Sequence, residues 1–133
     1  MAKSTPEGKV KKKVTNILKF HGAWYCSPAT RGMGRSGVPD ILACLRGVFL
    51  GIEVKRDIKH LPTKLQEHEL WKIQQCGGWG IVIHAGNLLD LEGLCSAIVA
   101  QAELTRASGH AKLDEMEAQE EKRHKPKPDD AIN

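Results

Sequence analysis

The stretch GVPDILACLRGVFLGIEVKRD, Gly37 to Asp57, decides how this chain reads. Arg46-Gly47 separates two apolar runs, Asp40 to Leu45 and Val48 to Arg56, and suits a two-residue hairpin turn. Leu45 then pairs with Val48, and the register runs back to set Asp40 directly opposite Glu53. Side chains alternate along a strand. Ile41, Ala43, Leu45, Val48, Leu50, Ile52 and Val54 therefore share one face, and all are apolar. That face is expected to be the core side. Asp40, Glu53 and Lys55 fall on the other.

Directly opposed Cβ atoms lie about 4.5–5.5 Å apart. Two carboxylates that close repel unless a proton or a cation sits between them. Lys55 partly neutralises the pair, and a divalent cation does so better. Hard oxygen ligands favour Mg²⁺ or Mn²⁺. A lysine beside such an ion can position or deprotonate water and stabilise a developing oxyanion. The competing reading is that Asp40 caps the strand start while Glu53 and Lys55 form a surface pair, since E-x-K alone is a short motif. The Gly-x-Pro-Asp lead-in, the register and the apolar strands favour a site.

Outward from the hairpin, Thr5-Pro6 opens a helix over about Pro6 to Phe20, with Val10, Val14, Ile17 and Leu18 on one face and Glu7 on that same face. Ala23 to Ser27 reads as a short strand. Pro28 to Gly37 is a glycine-rich loop carrying Arg31 and Arg35. A second helix runs from about Lys64 to Cys76, between Pro62-Thr63 and Gly77-Gly78. Gly80 to Ala85 is a strand, and a last helix covers roughly Leu91 to Arg106. The order α-β-β-β-α-β-α predicts an α/β domain whose mixed sheet is flanked by helices. Residues 1–107 are expected to form that domain. Residues 108–133 read as a charged C-terminal tail, helical or disordered.

The 133 residues hold one core and not two. Net charge is +4, but residues 1–72 hold 14 Lys/Arg and 6 Asp/Glu (+8), and residues 73–133 hold 6 and 10 (−4). A basic front half suits a polyanion partner, with a solvated basic helix as the rival. No apolar run reaches the ~18 residues of a membrane span, and MAKSTPEGKVKKK has no apolar segment behind its charges. No membrane association is expected. Cys26, Cys44, Cys76 and Cys95 form no C-x-x-C pair, so structural zinc is not expected. Buried free thiols in a reducing cytoplasm are the simplest reading.

Pro39-Asp40, twelve intervening residues and Glu53-Val54-Lys55 resemble the signature of the PD-(D/E)XK nuclease superfamily, whose core has this same element order. More narrowly, residues 7–100 resemble the small stand-alone VRR-NUC (virus-type replication-repair nuclease) domains, typical of phages and bacteria. The resemblance implies that Asp40 and Glu53 bind metal, with the Val54 backbone carbonyl as a further ligand. It implies that Lys55 works on the nucleophilic water, that Glu7 completes the acidic cluster, and that Gln66 supports it. Gln66 also stands three residues after Thr63, which makes a capping box by itself. Glu7 sits in a first helical turn, where an acid is favourable for the dipole alone.

The implied activity is Mg²⁺- or Mn²⁺-dependent hydrolysis of DNA phosphodiesters. The enzyme would be a structure-selective endonuclease on branched DNA, similar to Holliday junction resolvases and working as a homodimer in a bacterial or phage-infected cytoplasm. Lys9, Lys12, Lys13, Arg31, Arg35 and Arg56 are the expected phosphate contacts. An exonuclease, or a non-catalytic DNA-binding protein with the same fold, is the alternative. The latter would be expected to lack Asp40, Glu53 or Lys55, and all three are present.

Overall fold

A computed structural model of the chain describes residues 3–28 and 34–124. Helix α1 (Pro6–Phe20) starts on the Thr5 hydroxyl, which accepts from the Gly8 N–H at 3.0 Å. It has Pro6 at its first position, where no N–H is needed. Strands β1 (Trp24–Cys26), β2 (Ile41–Leu45) and β3 (Val48–Val54) follow, then α2 (Lys64–Gln75), β4 (Trp79–Ile83) and α3 (Leu88–Arg123). The sheet order is β1-β2-β3-β4. The first two pairings are antiparallel and β3–β4 is parallel, with α2 as the crossover. The expected α/β fold with a mixed four-stranded sheet and three helices is the one observed.

The hairpin register is also as expected, from Leu45↔Val48 back to Ile41↔Ile52. Arg46 and Gly47 both take positive φ, 51° and 81°, which a tight turn between twisted strands requires. Ile41, Ala43, Leu45, Leu50, Ile52 and Val54 are buried, and Val48 packs against them. They meet Val10, Val14 and Leu18 of α1 and Leu91, Cys95 and Ile98 of α3 in one apolar cluster. Helix α2 covers the other face of β3 and β4. Two glycines make that approach possible. A Cβ on Gly80 would fall 2.7 Å from the Leu70 carbonyl carbon and 2.8 Å from its Cα, and one on Gly51 would strike Ile73 Cδ1.

Three differences from the sequence reading have physical causes. Helix α3 begins at Leu88, not Leu91, because the Asn87 side chain fixes the turn before it. Asn87 Oδ1 accepts from the His84 N–H at 2.7 Å and its Nδ2 donates to the Val82 carbonyl at 2.9 Å. The helix also runs past Arg106 to Arg123, the helical of the two alternatives expected for the tail, since Ala, Leu, Glu, Gln, Lys and Met dominate the sequence beyond that point. Gly109 alone does not end it. The chain divides into compact units at 1–99 and 100–133, and the second is, over its described residues, a helical segment with almost every side chain exposed.

The third difference concerns the cysteines. Cys95 is buried, but Cys44 and Cys76 are exposed and Cys26 is partly so. Cys44 alternates away from the core face, so its apolar neighbours in sequence point elsewhere. Among the described residues, no helix is long and apolar enough to cross a membrane.

Candidate active site

The site forms where β2 begins and β3 ends, under the first turn of α2. Asp40 sits one residue beyond the last hairpin pair, and its Oδ2 accepts from the Val54 N–H at 2.9 Å. That bond ties the carboxylate of one strand to the backbone of the next. Glu53 lies on the α2 side of β3 and is only 2% exposed. Its Oε1 accepts from Gln66 Nε2 at 2.9 Å and lies 3.7 Å from Lys55 Nζ. Its Oε2 is buried with no hydrogen-bond donor.

Gln66 makes the hydrogen bonds of a helix cap and also reaches Lys55 and Glu53. Its backbone N–H donates to Thr63 Oγ1 at 3.2 Å, and its Oε1 accepts from the Thr63 N–H at 2.9 Å, which closes the capping box. The same Oε1 accepts from Lys55 Nζ at 3.1 Å, while Nε2 donates to Glu53. These partners dictate the amide's orientation, since a carboxylate can only accept and an ammonium can only donate. One helix cap thereby fixes both the lysine and the glutamate.

Electrostatics mark Glu53 as the unusual group. Burial, reinforced by hydrogen bonding to and repulsion from Asp40, pushes its pKa up to about 8, against the pull of Lys55. Burial disfavours the charged form first, and the neighbouring Asp40 carboxylate adds to that.

The other candidate residues are placed differently. Glu7 is exposed in the first turn of α1, with no hydrogen bond or ion pair to Asp40, Glu53 or Lys55. Helix α1 packs on the sheet face opposite α2. Among the described residues, no three His, Cys, Asp or Glu side chains gather as a metal cluster. Lys9, Lys12 and Lys13 are exposed on α1. Arg35 grips Glu69 with two bonds, Nε to Oε2 at 2.9 Å and an Nη to Oε1 at 3.0 Å. That contact holds the Glu69 carboxyl below the usual carboxylate range. Arg56 is exposed, with Asp57 3.5 Å away. Arg31 lies outside the described residues.

Sequence reasoning missed the Arg35–Glu69 pair, because 34 residues separate the partners and no local spacing announces it. It also missed that Glu53 is sealed over by α2. Gly51 and Gly80 were the available signal, since glycine inside a strand often marks close backbone approach.

No protein-family profile matches the chain, and no curated protein does. Among solved structures, a "VRR_NUC domain" aligns with a TM-score of 0.56 and 30% sequence identity. The match covers 69% of this chain and 96% of that one. With an identity of this size over nearly the whole of that domain, and with Asp40, Glu53 and Lys55 gathered at the ends of β2 and β3, the chain belongs to the VRR-NUC family and carries a nuclease-type domain.

Proposed function

We propose that this protein is an Mg²⁺- or Mn²⁺-dependent DNA endonuclease that hydrolyses phosphodiester bonds, selective for branched DNA, in a homodimer. The observation that carries the reading is the buried Glu53 beside a half-buried Asp40, with an orphaned Glu53 carboxylate oxygen and Lys55 alongside. A protein gains nothing in stability from such a pair on its own, because burial and repulsion both oppose its charge. The pair is suited to a divalent cation, whose charge would supply what the site lacks. Two carboxylates are a fitting protein share for Mg²⁺, which commonly keeps several waters and takes phosphate oxygens as its other ligands. Asp40 and Glu53 would hold the ion, with the Val54 carbonyl and Glu7 as further candidates. When bound, the ion polarises the phosphate and acidifies water.

The chain's own residues do the rest. Lys55, held by Gln66, directs its ammonium toward the carboxylate pair, where it can orient an attacking water and offset charge on a phosphate oxygen. Asp40 is kept in place by the Val54 N–H, so the site need not reorganise before reaction. Lys9, Lys12, Lys13, Arg31, Arg35 and Arg56 are proposed as phosphate contacts. Of these, Arg35 would have to exchange Glu69 for DNA. Symmetric cutting of a junction requires two such sites, which a twofold dimer supplies.

Cleavage of a four-way junction, a flap, a duplex and single strands should be compared with Mg²⁺, with Mn²⁺ and with chelator. Cutting is expected on branched DNA and only with metal. Asp40→Asn and Lys55→Ala should each lower the rate at least about a hundredfold while leaving binding intact. Variants that cut like the wild type would remove the site assignment, and cutting in chelator would remove the metal.

A further inference from the structure

Between Lys55 and Gln66 the chain makes a turn of which the chemistry above uses only Arg56. Ile58 is 72% exposed and Leu61 76% exposed, large aliphatic side chains facing water on the segment that leaves the site. The turn is not loose. Asp57 Oδ1 accepts from the Lys59 N–H at 2.9 Å and pairs with His60 Nδ1 at 2.7 Å, and the His60 N–H donates to the Asp57 carbonyl at 3.2 Å. Its base is closed by the Lys55–Gln66 bond, and Pro62 and the Thr63 cap stiffen the return.

In sequence the two aliphatic residues are flanked by Arg56, Lys59 and Lys64, against the single carboxylate of Asp57 between Arg56 and Lys64. Among the described residues, neither Lys59 nor Lys64 has an acidic partner. An apolar pair on a rigid, cationic turn is poorly matched to an ordinary protein surface, which would bring its own apolar area but little negative charge. It is well matched to DNA, whose phosphates pair with the cations and whose base faces accept aliphatic side chains.

We infer that the Arg56–Leu65 turn is a DNA wedge, in which Ile58 and Leu61 insert against the base pair beside the cleaved phosphate while Lys59 and Lys64 hold the flanking backbone. The inference rests on the nuclease reading, and it adds a source of structural preference. Unstacking is least costly at a branch or a mismatch, so a wedge fixed next to the site favours DNA that already opens there.

The test uses the full chain and a four-way junction with 2-aminopurine in the base pair flanking the branch, in Ca²⁺ in place of Mg²⁺. Wild type should raise the fluorescence as the base unstacks. Ile58→Ser/Leu61→Ser should still bind but lose most of that rise, and Ile58→Met/Leu61→Met should retain it. In Mg²⁺ the serine pair should cut the fully paired junction about tenfold more slowly, and recover when the flanking bases are mismatched. An undiminished rise in the serine variant overturns the wedge, as does an equal loss of cutting on paired and mismatched DNA. So does sedimentation showing that the serine pair only splits a wild-type dimer, which would make a second copy the occupant. A wild type that binds no DNA refutes the nuclease reading itself. DNA that is bound and cut without unstacking refutes the wedge alone.

Discussion

Glu53 shows what a single residue contributes here. A glutamate in a strand is unremarkable in sequence, and most are solvated. This one is buried beside Asp40, and its pKa rises to about 8. In metal-free protein the folded state therefore holds a proton that the unfolded chain releases near 4.5. The destabilisation is absent below about pH 4.5, grows as pH rises, and is complete above about 8. Thermal melts of metal-free protein should show the midpoint falling across that window. Mg²⁺ should raise the midpoint more at pH 8.5 than at pH 6, because it no longer competes with the proton. Glu53→Gln should flatten the pH dependence and abolish cutting. A wild-type midpoint that climbs from pH 5 to 8 would contradict the assignment.

At the scale of elements, α2 holds the site together. It lies so close to the sheet that β4 has room for nothing larger than glycine at position 80. The obstacle is the Leu70 backbone, which cannot swing aside as a side chain could. Gly80→Ala should cost ~3 kcal/mol, measured by urea unfolding. It should lower cutting by more than the loss of folded protein explains, since any retreat of α2 carries Gln66 away from Glu53 and Lys55. A neutral effect on both would show that the helix is free to shift. Both ends of this arrangement have signals in the chain: Thr63 and Gln66 are a capping box, and the glycines sit inside strands. Their meeting is not legible, because it depends on which part of α2 crosses which strand.

For the whole molecule, charge and burial divide the chain at different points. The +8 belongs to residues 1–72, which include the hairpin and first helix, while the later residues supply −4. From residue 100 onward almost every described side chain is exposed, including Leu104, Leu113 and Met116. Segments that bury little apolar area contribute little to stability. Deleting residues 108–133 should change unfolding free energy by less than about 0.5 kcal/mol and leave junction cutting largely intact. A protein that no longer folds would place part of the core in that segment.

The hairpin register was determined by sequence alone. Arg46-Gly47 fixes the turn, and strict alternation then leaves only one way to keep seven apolar side chains on one face. That register also sets Asp40 against Glu53. Helix starts at Thr5 and Thr63 were equally legible, because caps are local chemistry. What the tertiary structure decided is how deep those groups lie and whom they meet. Burial of Glu53, the reach of Gln66 to Lys55 and Glu53, and the Arg35–Glu69 clasp all arise from elements distant in sequence. Periodicity gives the face on which a residue points, and only packing between elements decides what stands across from it.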